Sequence, residues 1–340
     1  MDIASGFGTT LSKVWSWRMH STEAVMHKLL LLLTTGAALV GLAGGSSAAT
    51  LDAGTILQDF NAVIYTNGST QSDIEGAAVI GGNFSGATVY NNPTSGTPSG
   101  FGALTVYGNT SGNPININNG GSAYVGGSAG AIVNFNGGGT YTGAPGATMA
   151  DFQAPLNALS QSLSQLTATS FLPATGNNEV LTATPGANGI AVFNITAAQL
   201  SQIPSFQINM NGASSVIFNV SGTTVNFNAN DESGVTGANN IIWNFFAATS
   251  VTIGTQLGGS VLATQANVTN QNQIDGALVA NSWNGTGELH DYGFDGVLPT
   301  TIAATASVPE PASLAILGAG LAAIGIVRRR RDRTPGACSK

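Results

Sequence analysis

The chain has 340 residues, 43% of them hydrophobic and only 7% charged, with a formal net charge of −7 at pH 7. All nine Lys and Arg lie before residue 29 or after residue 327, so residues 50–307 carry twelve Asp and Glu, no Lys or Arg, and a charge near −12. Such a surface repels nucleic acid and anionic lipid, and with Cys338 as the sole cysteine that stretch holds neither disulfides nor thiolate chemistry.

Residues 29–43 form an uninterrupted apolar and small-residue run behind His27 and Lys28, and Ser47-Ala48-Ala49 puts small side chains at −3 and −1 of a cleavage site. This is the pattern of a secretory signal peptide over residues 1–49, cut after Ala49 by signal peptidase. Counted from Met1 its n-region is overlong and contains Asp2, Trp15, Trp17 and Glu23, so Met19 or Met26 is the better start.

From residue 50 onward short strand-like runs alternate with Gly and Asn. Ala77-Ala78-Val79-Ile80 runs into Gly81-Gly82-Asn83, Leu104-Thr105-Val106-Tyr107 into Gly108-Asn109, and Ile115-Asn116-Ile117-Asn118 into Asn119-Gly120-Gly121. Ala123-Tyr124-Val125 follows, then runs at 215–220, 224–228, 241–246, 250–253, 260–263 and 277–280. Runs of three to six residues with period-two alternation and turn residues between them predict a mainly β domain over 50–300. Tight hairpin signals are scarce, which favours a β-solenoid, with Gly and Asn at its corners, over the alternative of a β-sandwich. Residues 73–79 (DIEGAAV) and 273–279 (QIDGALV) match each other, though no period follows from one imperfect pair.

One stretch has helical spacing instead. Met149, Phe152, Leu156, Leu159, Leu163 and Leu166 recur every three or four residues, with Gln and Ser opposite. The spacing predicts a helix near 151–167, beginning near Asp151 with Thr148 or Asp151 as its cap and Pro155 in its first turn or so. Packed along the β-domain, 25 to 30 Å of helix would cover roughly five or six coils. A partner-binding face is the other use of such a stripe.

Chemistry-bearing constellations are sparse. His290, flanked by Glu288 and Asp291, is the only imidazole in residues 50–307 and is expected to order a turn rather than act as a base. Asp231-Glu232 and Asp73-x-Glu75 make Ca²⁺ the one candidate ion, without the spacing of an EF-hand or a nonapeptide repeat. Gly81-Gly82 and Gly137-Gly138-Gly139 lack the Lys of a phosphate loop. No cofactor and no enzymatic activity is expected; a paired-carboxylate glycosidase would need two facing acids that sequence alone does not place. Ice binding would call for regular Thr-x-Thr ladders, of which Thr182-Ala-Thr184 is meagre evidence.

Beyond a short linker at 301–308 the chain changes character. Pro309-Glu310-Pro311 precedes sixteen apolar or small residues at 312–327, then Arg328, Arg329, Arg330 and Arg331. A helix over 312–327 rises about 24 Å, short of a roughly 30 Å hydrocarbon core, and the arginines hold its end in the cytoplasm. The prolines keep the upstream segment out of helix and Glu310 exposed. This order of triplet, short apolar helix and basic cluster resembles the PEP-CTERM sorting signal of Gram-negative bacteria. The resemblance implies an exosortase that cuts near the triplet, transient anchoring by the helix, and delivery to the cell surface or extracellular matrix.

The β-domain also has a family likeness. Phe60-Asn61-Ala62-Val63, the stretch SDIEGAAVIGGN at 72–83, the helical stripe, and GELHDYGFDG at 287–296 before Leu298-Pro299 resemble the choice-of-anchor A family. That family is one extracellular domain carried on varied surface anchors, and the resemblance implies a β-solenoid and an adhesive role. The leading expectation is a structural or adhesive protein of the cell surface or a biofilm matrix, facing exopolysaccharide. A carbohydrate-binding or ice-binding module is the alternative function, and a polysaccharide-acting enzyme the second alternative.

Overall fold

A computed structural model describes residues 51–299 apart from 87, 93–99 and 175; the signal region, the sorting segment and the residues named in them lie outside this range. Its largest sheet has thirteen strands, nine of which form one continuous path: β1 (Ala62–Ile64), β2 (Ala78–Ile80), β3 (Leu104–Val106), β4 (Ala123–Val125), β5 (Ile190–Thr196), β6 (Ser215–Ser221), β7 (Ile241–Asn244), β8 (Ser260–Asn270) and β9 (Leu278–Gly285). In space they run β5-β6-β7-β8-β9-β1-β2-β3-β4, with every pairing parallel. Parallel stacking of short strands is the expected β-solenoid and excludes the antiparallel sandwich.

The spatial order holds a surprise. The chain starts in the middle of the stack, winds outward through β1 to β4, crosses the length of the molecule, restarts at the far end with β5, and winds back until β9 pairs with β1. Each coil also contributes to two further faces. The second holds Gly68–Thr70, Phe84–Ser85, Thr224–Phe227, Ser250–Ile253 and the C-terminal parts of β8 and β9. The third runs from Val133–Phe135 through Ile115–Ile117, Thr88–Val89, Asp73–Ile74, Leu289–His290 and Ile274–Asp275 to Leu257–Gly258.

Helix α2 (Met149–Ser164) lies along the face made by β1 to β9. It begins two residues before the predicted start and ends three before the predicted end, and Pro155 sits in its second turn. The start is decided by Thr148, whose N–H and hydroxyl both donate to the Asp151 carboxylate, at 2.7 and 2.8 Å. Two further helices, unforeseen in the sequence, are α1 (Ala53–Asp59) and α3 (Ala197–Leu200). Both are short and cap-driven: Asp52 accepts from Thr55 N–H at 3.0 Å, and Thr196 accepts from Gln199 N–H at 3.1 Å.

The strands under α2 are apolar at successive positions because both of their sides are buried. Inward side chains fill the solenoid core, where Phe193, Phe218 and Trp243 stack with ring centroids 4.8 and 4.0 Å apart. Outward Val63, Val79, Ile217, Ile242, Leu262 and Val279 pack with Phe152, Leu156, Leu159 and Leu163 of the helix. The stripe is therefore a packing face.

An asparagine ladder fixes the helix to the coils. Asn194, Asn219 and Asn244 are register partners, and each carboxamide donates to a backbone carbonyl of the helix segment. Asn244 reaches Ser160 at 2.9 Å, Asn219 reaches Leu163 at 2.6 Å, and Asn194 reaches Leu166 at 2.9 Å. Three helical residues rise about 4.5 Å, close to the ~4.8 Å between coils, so every third carbonyl meets the next asparagine. The Leu166 carbonyl lies just past the helix end, and the Leu163 carbonyl, which already accepts from Leu166 N–H at 3.1 Å, takes the Asn219 carboxamide as a second donor. The motif was present in the sequence as AVFNI, VIFNV and IIWNF at 191–195, 216–220 and 241–245, a 25-residue period obscured by shorter coils elsewhere.

Candidate functional site

On the second face each strand alternates a buried and a solvent-facing position, and the solvent-facing ones form two columns. In one, Asn226, Thr252, Thr269, Asn284, Ser69 and Ser85 follow one another in register. In the other, Thr224, Ser250, Asn267 and Ser282 are in register, and the column continues through Asn67, Asn83 and Asn109. Every side chain is a hydroxyl or a carboxamide, and none is charged. Neighbours stand ~4.8 Å apart along a column, and the columns lie two residues apart, about 6.5 to 7 Å.

The positions between them anchor the face. Val225, Val251, Val268, Trp283 and Phe84 point into the core and are almost wholly buried. The asparagines are also tied to one another. Asn83 N–H donates to the Asn67 side chain at 2.8 Å, Asn109 N–H to Asn83 Oδ1 at 2.9 Å, and Ser128 N–H to Asn109 Oδ1 at 2.7 Å. Ser69 donates to Asn284 Oδ1 at 2.8 Å and Ser282 to Asn267 Oδ1 at 2.6 Å. Rotamers held in this way present a fixed lattice of donors and acceptors, at little entropic cost on meeting a surface.

The tripeptides are Thr-x-Asn, Ser-x-Thr, Asn-x-Thr, Ser-x-Asn and Asn-x-Ser, and they recur in successive coils. A search for Thr-x-Thr overlooks them. Thr182-Ala-Thr184, which does fit that pattern, lies on Glu179–Thr182 and the corner after it, away from the two columns.

The sequence-predicted chemical residues gather elsewhere, on the third face, where the first coil meets the last. His290 Nδ1 lies 2.6 Å from Asp275, and Nε2 lies 3.0 Å from Glu288. Burial alone would lower the imidazole pKa, but the hydrogen bonds to Glu288 and Asp275 and the charges of Asp275 and Glu75 outweigh it and raise it. Both ring nitrogens are engaged, which leaves neither for a metal or a substrate proton. Glu75 accepts from Asp291 N–H at 3.0 Å. Asp231 is buried, which raises its pKa, and it braces a corner by accepting from Gly258 N–H at 3.1 Å and Ser233 N–H at 2.9 Å. Among the described residues no group of three or more His, Cys, Asp or Glu is arranged to hold a metal ion.

A groove of about 490 Å³ borders α2, lined by Tyr65, Asn157, Ser160, Gln161, Phe246 and Gln265 among others. Burial drives the Tyr65 phenol well above its ordinary pKa, and the hydroxyl donates to Asn157 at 3.3 Å. Among the described residues no helix is long and apolar enough to cross a membrane.

Comparison with known proteins gives two family matches. Residues 53–291 match the family described as "Putative Ice-binding-like adhesive domain". Residues 307–331 match the PEP-CTERM protein-sorting motif, which directs export across the inner membrane to the cell surface or extracellular space and implies processing by an exosortase. No curated protein matches the chain. Similar solved structures include an ice-binding protein from the Antarctic ascomycete Antarctomyces psychrotrophicus, 14% identical, covering 69% of this chain and 95% of its own, with a TM-score of 0.34. Another is an ice-binding protein from an Antarctic Flavobacteriaceae bacterium, also 14% identical, covering 67% of this chain and 79% of its own, with a TM-score of 0.30.

Proposed function

The chain belongs to the ice-binding-like adhesive domain family, and we propose that the two-column face is its adhesive surface, docking on ice. The carrying observation is the ladder itself: two uncharged columns of hydroxyls and carboxamides, repeated coil after coil on a rigid sheet. An isolated ligand needs a pocket, whereas an extended regular surface needs a flat array, and this face supplies the second. Contact without charge makes binding insensitive to ionic strength over the physiological range.

A second reading, adhesion to a polysaccharide chain, is favoured by the groove beside α2, where two aromatic side chains stand among amides and hydroxyls. Assignment to the choice-of-anchor A family in particular is supported by the stretches at 60–63, 72–83 and 287–296. A non-enzymatic role is supported by the engagement of both His290 nitrogens. Cleavage after Ala49 and processing at Pro309-Glu310-Pro311, with Arg328, Arg329, Arg330 and Arg331 holding the cytoplasmic end, complete the proposed route to the surface.

The test replaces Thr252 and Thr269 with Lys in the processed protein. Partition into growing ice should fall at least tenfold while folding stability stays within the range of an ordinary surface substitution, about 0.5 kcal/mol. Unchanged partition would remove the ladder from the adhesive role. Retention on insoluble polysaccharide that survives the ladder substitutions but is lost with Phe246→Ala would favour the second reading.

A further inference from the structure

The two ends of the solenoid are not equivalent. At the β5 end Ser170 bridges to Phe193, as Tyr141 bridges to Ala123 at the β4 end, the Ser170 hydroxyl accepts from Thr184 N–H at 2.9 Å, and α3 follows β5 directly. The edge there, Glu179–Thr182, carries a carboxylate. At the other end the third face finishes at Val133–Phe135, which among the described residues pairs on one side only, with Ile115–Ile117. Its hydrogen bonds, Ile115 N–H to Ile132 O and Asn136 N–H to Ile117 O, both 2.8 Å, use even-numbered residues. Strand geometry then aims the N–H and C=O of Val133 and Phe135 off the end. Beside them Ile132 is 67% and Tyr141 50% exposed, and the Tyr141 ring packs edge-on against Phe135 at 5.0 Å.

Natural edges are guarded by charge, proline or bulges. Among the described residues this one has no such guard. No charged residue occurs between Glu75 and Asp151, and no proline between Pro114 and Pro145. In a domain whose charge is otherwise uniformly negative, this uncharged end lets two like molecules approach without bringing carboxylates together.

We infer that this open end is a self-association surface on which a second copy of the chain docks head to head through Val133–Phe135. The opposite edge, Glu179–Thr182, is guarded by the Glu179 carboxylate and offers no complement, so the same patch serves both partners about a two-fold axis. Antiparallel pairing about Asn134 sets Val133 against Phe135 of the partner subunit and the reverse, so the outward N–H and C=O groups pair with one another. It also joins the two sheets into one and covers Ile132 and Tyr141. A two-headed adhesive follows, presenting two ladder faces from one particle and gaining avidity where both reach the surface.

The experiment measures the mass of the processed protein by sedimentation over a concentration series. Wild type should shift from single to double mass, and Ile132→Lys/Asn134→Lys, which brings like charges together across the axis, should remain single with an unchanged far-UV spectrum. With Cys338 removed by processing, Asn134→Cys should form an inter-subunit disulfide on mild oxidation, since facing non-hydrogen-bonded positions stand about 4.5 Å apart. Asn226→Cys, on the ladder, should not. A wild type that stays single throughout, or a double mass that survives both lysines, would overturn the inference. Ice partition is read separately, so failure here leaves the ladder assignment standing.

Discussion

The Asn61 carboxamide donates to the carbonyl oxygen of Gly276, 215 positions along the chain, at 3.0 Å. The same nitrogen donates to His290 O at 2.9 Å, and the side-chain oxygen accepts from Gly76 N–H at 3.2 Å. One buried side chain thus joins the first coil, at Gly76, to the last, at Gly276 and His290. The two glycine corners are the matching positions of DIEGAAV and QIDGALV. Gly276 accepts no larger residue, since a Cβ there would fall 2.5 Å from Gly259 backbone.

Asn61→Ala is predicted to cost about 2–4 kcal/mol, because it leaves up to three backbone groups at the seam without partners. Chemical denaturation monitored by Trp fluorescence should show the loss as a lower midpoint. A change below about 0.5 kcal/mol would mean the two arms are held by strand pairing alone.

Leu159 is fully buried between α2 and the sheet. Leu159→Asp should destabilise the domain by several kcal/mol, by forcing an unpaired carboxylate into that layer, and Leu159→Ala by about 2–5 kcal/mol. An unchanged melting temperature for the aspartate variant would place the stripe in solvent and restore a partner-binding role.

The raised pKa of His290 has a definite sign in stability. A cation favoured in the folded state contributes fully below its unfolded pKa, near 6.5, and that contribution is lost as pH rises through the higher folded value. The groups facing it are Asp275, Glu288 and Glu75, so His290→Gln leaves the acidic seam uncompensated. Wild type should therefore exceed His290→Gln in melting temperature by more at pH 5.5 than at pH 8.5. A difference that is flat or reversed across this range would refute the account.

The export route is tested outside the described residues. Replacing Pro309-Glu310-Pro311 with alanines should preserve membrane insertion, since neither the apolar run nor Arg328, Arg329, Arg330 and Arg331 changes. It should block processing, so that a full-length precursor ending in Lys340 accumulates in the membrane fraction. Release as efficient as wild type would reduce the triplet to a linker.

The amino-acid sequence by itself determined the C-terminal sorting motif, the β-rich solenoid character and the central helix. Each is local: an apolar run, a proline triplet, short alternating runs ending in Gly or Asn, and a stripe at helical spacing act through residues close together in the chain. The order of the coils was decided only in the tertiary structure, because β9 against β1 satisfies the same parallel hydrogen bonds as any sequential neighbour, and nothing in 278–285 or 62–64 marks the other as its partner. The seam at Asn61, the His290–Asp275 pair and the ladder face share that origin. The ladder's Ser, Thr and Asn were plain in the chain, but coils of unequal length hid their alignment, and only stacking at one fixed spacing brought them into register.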